Sequence, residues 1–198
     1  MTLQVVKIGG SLWTLPDLPQ RLHTWLNQQP PAPRVLLNGG GALADVIRET
    51  EARFAFSSET SHWLCVDVLG VSANLLAAMS PQAGRAERLA EVRTYAAQWA
   101  EDSPPLIFHP VSWLKETPAE ILPRSWDAAT DSIAARLAEA LSAELVLLKS
   151  ADPPASGENS DYTDAYFSLA SAALAKTRAV NLRGFQEEKP QPGRDFDE

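Results

Sequence analysis

Short continuous apolar runs alternate along this chain with stretches in which apolar residues recur every three or four positions, the pattern of strands interleaved with helices. The runs at 3–8, Arg34–Asn38, Leu106–Pro110, Leu145–Lys149 and Arg178–Leu182 predict strands. Between them, Leu18, Leu22, Trp25 and Leu26 place a helix over Pro16–Gln28, stopped by Pro30, Pro31 and Pro33. Further helices are expected from Gly41 onward, over Thr60–Ala78 with Ser58 or Ser61 as cap, from Asp131 to about Ser142, and over Tyr166–Lys176. Arg85–Arg93 fits a strand or a helix, and Val111–Leu114 reads as continuing the strand before it. The stretch 151–162 is rich in Pro, Gly, Ser and Asp and reads as a loop, and Glu187–Glu198 as a solvated tail. Alternation of this kind favours a mostly parallel sheet covered on both faces, an αβα sandwich formed by one domain over 1–186.

Two of the strands end in glycine. Lys7 and Ile8 lead into Gly9-Gly10-Ser11, and Asn38 into Gly39-Gly40-Gly41. Such turns let bare amide groups approach a ligand closely, and a lysine at a strand tip adds a fixed positive charge, together suiting phosphate oxygens. Lys149 closes its own apolar strand in the same manner, so both lysines would meet at the carboxyl edge of a parallel sheet, where open α/β folds bind ligands. Taken alone, each lysine also fits an edge strand from which it snorkels. Asp127 and Asp131 flank a helix start. By spacing alone they read as a cap and a first-turn acid, with Thr130 an alternative cap; the sharper reading puts Asp131 on the lysines and Asp127 with Trp126 beside a substrate.

The 198 residues carry a formal charge of −8 and are 45% hydrophobic, enough for a sizeable core. No basic stripe offsets that charge, so neither nucleic acid nor a membrane surface is an expected partner, whereas a small anion held by local lysines is. Cys65 is the single cysteine, which leaves no internal disulfide and no cysteine zinc site. The three histidines have no metal-ligand spacing, and Ser11 has no His-Asp company that would make it a nucleophile. No signal peptide and no apolar run near 18 residues stands out, and a cytoplasmic location is the expectation. The phosphate-loop pattern with Gly-Lys-Ser/Thr is absent, as is a well-placed GxGxxG.

Three phrases, VVKIGGSL at 5–12, LLNGGGALAD at 36–45 and SWDAATDSIAARLAEALSAELVLLKSAD at 125–152, resemble the amino acid kinase family. The resemblance implies an αβα sandwich using ATP and Mg²⁺, with the nucleotide toward the C-terminal half and the acceptor toward the N-terminal half. By position it makes Lys7, Asp131 and Lys149 catalytic. Gly9, Gly10, Ser11, Gly39, Gly40, Gly41, Trp126 and Asp127 then handle phosphate or substrate, Lys149, Ser150 and Asp152 face the nucleotide, and no protein residue holds a metal. Size and the SWDxxxDSIAA phrase are most similar to small archaeal-type and planctomycete-type members, one of which phosphorylates aminomethyl-furanmethanol phosphate in methanofuran biosynthesis. The chain departs from the family at 150–154, where Pro153 stands in place of the glycine of an Asp-Gly turn and the nucleotide side is short. A carboxylate kinase or a non-catalytic subunit that keeps the fold are the rival expectations, and a homo-oligomer is expected, with the Thr60–Ala78 helix fitting a partner subunit as readily as its own sheet.

Overall fold

The computed structural model describes residues 1–155 and 161–185; the expected tail and part of the 151–162 loop lie outside them. Among the described residues six strands form one all-parallel sheet, β1 (Gln4–Ile8), β2 (Arg34–Asn38), β3 (Gly84–Ala86), β4 (Leu106–Phe108), β5 (Glu144–Lys149) and β6 (Thr177–Asn181). Their spatial order is β3-β4-β2-β1-β5-β6, which puts the two glycine-ended strands side by side at the centre and β5 against β1. Helices α1 (Leu18–Gln28), α2 (Ala42–Phe54), α3 (Ser58–Met79), α4 (Leu89–Gln98), α5 (Val111–Glu116), α6 (Thr130–Leu141) and α7 (Phe167–Ala170) connect them, with a 3-10 turn at Gly10–Thr14.

Strand side chains alternate between faces, and two cores follow from that alternation. Val5, Val35, Leu37, Leu145 and Leu147 pack with Ile133, Ala134, Leu137 and Ala138 of α6. Val6, Ile8, Leu36, Val146 and Leu148 pack with Leu12 and with Leu18, Leu22 and Trp25 of α1. Lys7 follows the parity of Val5, and Lys149 that of Leu147, so both ammonium groups leave the strands toward α6. The sheet register therefore selects which helix can meet them.

Helix α3 departs from the expectation that no apolar run approaches 18 residues. An 18-residue window within its 22 residues reaches a mean hydropathy of 1.4, so by length and composition the helix is apolar enough to cross a membrane. Their pattern follows from serving both cores, Val66 and Leu69 on one face of the sheet and Ala73, Leu76 and Ala77 on the other. Ser57, rather than Ser58 or Ser61, caps the helix, accepting from the Thr60 N–H at 3.1 Å.

Three further expectations change. Arg85–Arg93 holds both alternatives, β3 and then α4, divided where the Glu91 carboxylate accepts the N–H groups of Glu87 and Arg88 at 2.8 and 3.1 Å. Val111–Leu114 belongs to helix α5, because Pro110 ends the strand yet has the backbone angle a helix start requires, and its carbonyl accepts from Leu114 N at 2.9 Å. Over Tyr166–Lys176 only Phe167–Ala170 is helical. Once Ala170 is buried, the chain must return to the amino edge of the sheet to begin β6 at Thr177, opposite Leu145. A helix rising about 1.5 Å per residue covers too little distance for that return, and topology overrides the helix propensity of the alanines.

Candidate active site

Asp131, the second residue of α6, lies between the two strand-tip lysines. Lys7 Nζ is 2.9 Å from Asp131 Oδ1, and Lys149 Nζ is 2.6 Å from Oδ2. Lys149 also donates to the Tyr162 carbonyl at 2.6 Å. The three side chains are only 5, 12 and 8% exposed (Lys7, Lys149, Asp131), so none is solvated like a surface charge. Burial by itself would raise the Asp131 carboxyl, but the charges of Lys7 and Lys149 outweigh it and hold the group below the usual carboxylate range. For Lys149, burial and then the Lys7 charge pull the ammonium down, against the opposing effect of Asp131.

The two glycine bends touch. A Cβ on Gly10 would stand 2.6 Å from Gly41 N and 2.9 Å from its Cα, so no side chain fits between the bends. Gly41 takes φ 55° and ψ −145°, a conformation open in practice only to glycine. What the contact creates is a cavity of about 520 Å³ lined by Gly10, Ser11, Gly40, Gly41, Ala42 and Thr130, among others. The amides of Gly10, Ser11, Gly40, Gly41 and Ala42 donate to no described residue, which leaves a cluster of open N–H groups at the starts of the 3-10 turn and α2. The start of α6 reaches the same cavity through Thr130, one residue before Asp131. Open donors and helix N-termini facing one space are suited to a polyanion.

Trp126 lines this cavity; its indole N–H donates to Glu51 Oε2 at 2.5 Å, and the Arg48 guanidinium lies 4.5 Å from its ring centre. Asp127 does not join it: it is exposed, accepts from Ser125 Oγ at 3.2 Å, and its backbone carbonyl accepts from Tyr166 N. Neither Asp127 nor Thr130 caps α6 through its side chain; Ala129 stands at the cap. Gly9 N is spent on the Leu148 carbonyl and Gly39 N on that of Ile8, so these two glycines shape the bends rather than offer donors. Ser150 pairs with Ser11 at 2.7 Å between hydroxyls, joining the β1 and β5 tips, while Asp152 is exposed and accepts from Asn181 at 3.1 Å. Cys65 also lines the cavity, but burial pushes its thiol up to about 11, which removes it as a nucleophile near neutrality.

Sequence reasoning missed Asp164. Its carboxylate accepts the Ser132 N–H at 3.0 Å and also the Ser132 hydroxyl, supplying α6 with the cap that Ala129 cannot provide. Its partner lies 32 residues earlier, so no local spacing announces the pair. Arg48 pairs with Asp45, three residues before it, at 2.7 Å.

With six parallel strands in this order and the lysines at their tips, comparison with solved structures finds a match. A uridylate kinase from Archaeoglobus fulgidus aligns over 81% of this chain and 69% of its own, at 16% identity and a TM-score of 0.54. This chain has that fold. No protein-family model matches the sequence, and no curated protein does.

Proposed function

We propose that this chain is an ATP-dependent phosphotransferase of the amino acid kinase type, acting on a small anionic acceptor that is itself a phosphomonoester. One juxtaposition carries the reading: two glycine bends with open amides line a cavity that also takes in Thr130, and the buried Lys7–Asp131–Lys149 cluster, itself outside the cavity lining, begins one residue further along α6. Loose, in-line phosphoryl transfer needs positioning and neutralised charge rather than covalent chemistry, and these groups offer both. Lys7 neutralises charge on the transferring group, Lys149 does so from the β5 side, and Asp131 orients the two ammonium groups without taking a proton. The amides of Gly10, Ser11, Gly40 and Gly41 hold phosphate oxygens.

The open amides and paired lysines fit a triphosphate. When bound, Mg-ATP supplies the transferable phosphoryl group. On the acceptor side, Trp13, Val66, Leu69 and Trp126 offer an apolar wall and Arg48 a cation, which suits a flat ring bearing a phosphate. Aminomethyl-furanmethanol phosphate, as in methanofuran biosynthesis, is the acceptor we propose. The reading includes a homo-oligomer that covers Leu43, Val46 and Phe54 of α2, which are 41, 56 and 63% exposed, with light scattering as its check.

A coupled assay with Mg-ATP against phosphorylated and carboxylated small molecules tests this. Turnover with the furan phosphate is expected, and Lys7→Ala should lower kcat by about 10²–10³, the loss of one preorganised charge donor. Unchanged kcat in that variant removes Lys7 from the mechanism. A carboxylate acceptor would instead give an acyl phosphate that hydroxylamine traps as a hydroxamate. A non-catalytic subunit is favoured by one observation, that Lys149 already donates to both Asp131 and Tyr162. Absence of any calorimetric heat with millimolar Mg-ATP would decide for that reading.

A further inference from the structure

The amino edge of the sheet carries a second concentration of positive charge, and the kinase reading makes no use of it. Arg34 opens β2 and is 8% exposed. Its Nε donates to Gln4 Oε1 at 3.1 Å and one terminal nitrogen donates to the Pro30 carbonyl, both neutral oxygens. Among the described residues its other terminal nitrogen has no partner, and no carboxylate comes within ion-pair distance of the guanidinium. Arg178 adds a second guanidinium nearby, bonded to Gln29 Oε1 at 2.9 Å and lying 5.4 Å over the Trp25 ring. The acid of this edge, Glu144, is occupied by Lys176 at 3.1 Å and by Gln4 at 3.3 Å. In a chain of net charge −8, a buried cation without an acid is conspicuous.

Arg34 also lines a cleft of about 940 Å³ between α1, the end of α3 and the segment that follows α4. Leu22, Leu26, Leu36, Met79, Tyr95 and Trp99 give it apolar and aromatic walls. Polar residues such as Gln20, Asn27, Gln29 and Gln82 share the lining, in which Arg34 is the one lysine or arginine, and a mixed wall with a fixed cation suits a small ligand that is part apolar and part anionic. We propose that this cleft is a second ligand site, taking a small monocarboxylate with an apolar body, its carboxylate on Arg34. Glu101 and Asp102 also line the cleft and would repel a multiply charged anion, so a nucleotide is the wrong class. Four residue steps of β2, roughly 13 Å, separate Arg34 from the strand tip, so this ligand would not reach the reacting phosphates.

Titration of the ¹⁵N-labelled full chain with indole-3-acetate and its neutral analogue indole-3-acetamide tests the site. The acid should shift amides around His23, Arg34, Tyr95 and Trp99 saturably and leave Gly10, Gly40 and Gly41 unmoved. The amide should bind about tenfold more weakly or worse, the loss of a charge-assisted hydrogen bond, and Arg34→Gln should weaken the acid by the same factor. His23 is exposed on α1 and lines the cleft, so His23→Trp should narrow it and weaken the acid severalfold while Arg34 and the fold stay intact, even if Arg34→Gln folds poorly. Equal affinity for acid and amide, shifts centred on the glycine bends, no saturable shift at millimolar ligand, or undiminished binding to His23→Trp would each overturn the proposal.

Discussion

At the carboxyl edge of the sheet Lys7 and Lys149 converge on Asp131, at 2.9 and 2.6 Å; at the amino edge neither Arg34 nor Arg178 has a carboxylate within ion-pair distance among the described residues. Both are pairs of like charges at one edge of the sheet, but the lysines stand on adjacent strands, whereas β1 and β5 separate Arg34 on β2 from the half-buried Arg178 on β6. The lysines share a carboxylate supplied by a helix start, where the dipole favours an anion, so two ammonium groups are held buried in fixed positions. The arginines bond to amide and carbonyl oxygens, which cancel no charge; Glu144 acts on Arg178 from beyond ion-pair distance, and Arg34 keeps one terminal nitrogen without a partner among the described residues. Fixed cations next to open amides suit chemistry on a passing polyanion, whereas an uncancelled cation in an apolar cleft suits a resident anion.

Removing the shared acid should break the contrast most severely. Asp131→Asn would leave both lysines buried without an anion, and breaking a buried pair in this way costs about 3–5 kcal/mol. Urea unfolding measures it. Combining Asp131→Asn with Lys149→Met should recover part of the loss, because one of the stranded charges is then gone. A loss under about 1 kcal/mol would put the lysine pair in the class of surface ion pairs and erase the difference between the two edges.

The same acid sets a pH dependence with a definite sign. Opposed by burial but drawn down by Lys7 and Lys149, the Asp131 carboxyl titrates lower in the folded chain than when unfolded. Its contribution is therefore fully present above the unfolded value of about 3.9 and is lost as pH falls through the lower folded value. Stability against urea should fall through that acid window in the native sequence and fall less steeply in Asp131→Asn. Parallel acid limbs in the two proteins would mean that Asp131 is not held low.

Much of the carboxyl edge was legible in the sequence because its signals are local. An apolar run, a lysine and two glycines fix a strand, its tip and a bend within eight residues, and Gly10 and Gly41 have conformations or contacts that other residues would not tolerate. Asp131 was placed correctly in the first turn of its helix for the same reason. Illegible were partners brought together by the sheet: Asp164 on Ser132, Ser150 on Ser11, and Arg34 in its cleft. Their separations, 32 and 139 residues for the first two, carry no periodicity. The helix expected over Tyr166–Lys176 failed on similar grounds, since the demand on that segment comes from where β6 must begin. Asp127 differs from Asp131 in that its exposed side chain accepts from the Ser125 hydroxyl two residues away and does not line the cavity that Trp126 lines.

The smallest expected effect concerns how the lysine site is kept in place. Asp164 caps α6 from a distant loop, and two residues before it the Tyr162 carbonyl accepts from Lys149. Burial raises the Asp164 carboxyl, although both hydrogen bonds from Ser132 work against that rise, so part of what the cap contributes is offset. Asp164→Ala should therefore cost about 0.5–2 kcal/mol, the range of a lost helix cap. Its signature lies in kinetics: kcat should fall severalfold while the KM of the acceptor changes little, because the loop holding Lys149 loosens but the acceptor cavity is untouched. Asp164→Asn keeps an acceptor for the Ser132 amide and should restore most of kcat. If Asn and Ala lower kcat equally, the charge of Asp164 matters more than its cap, and the carboxyl edge depends on a second acid besides Asp131.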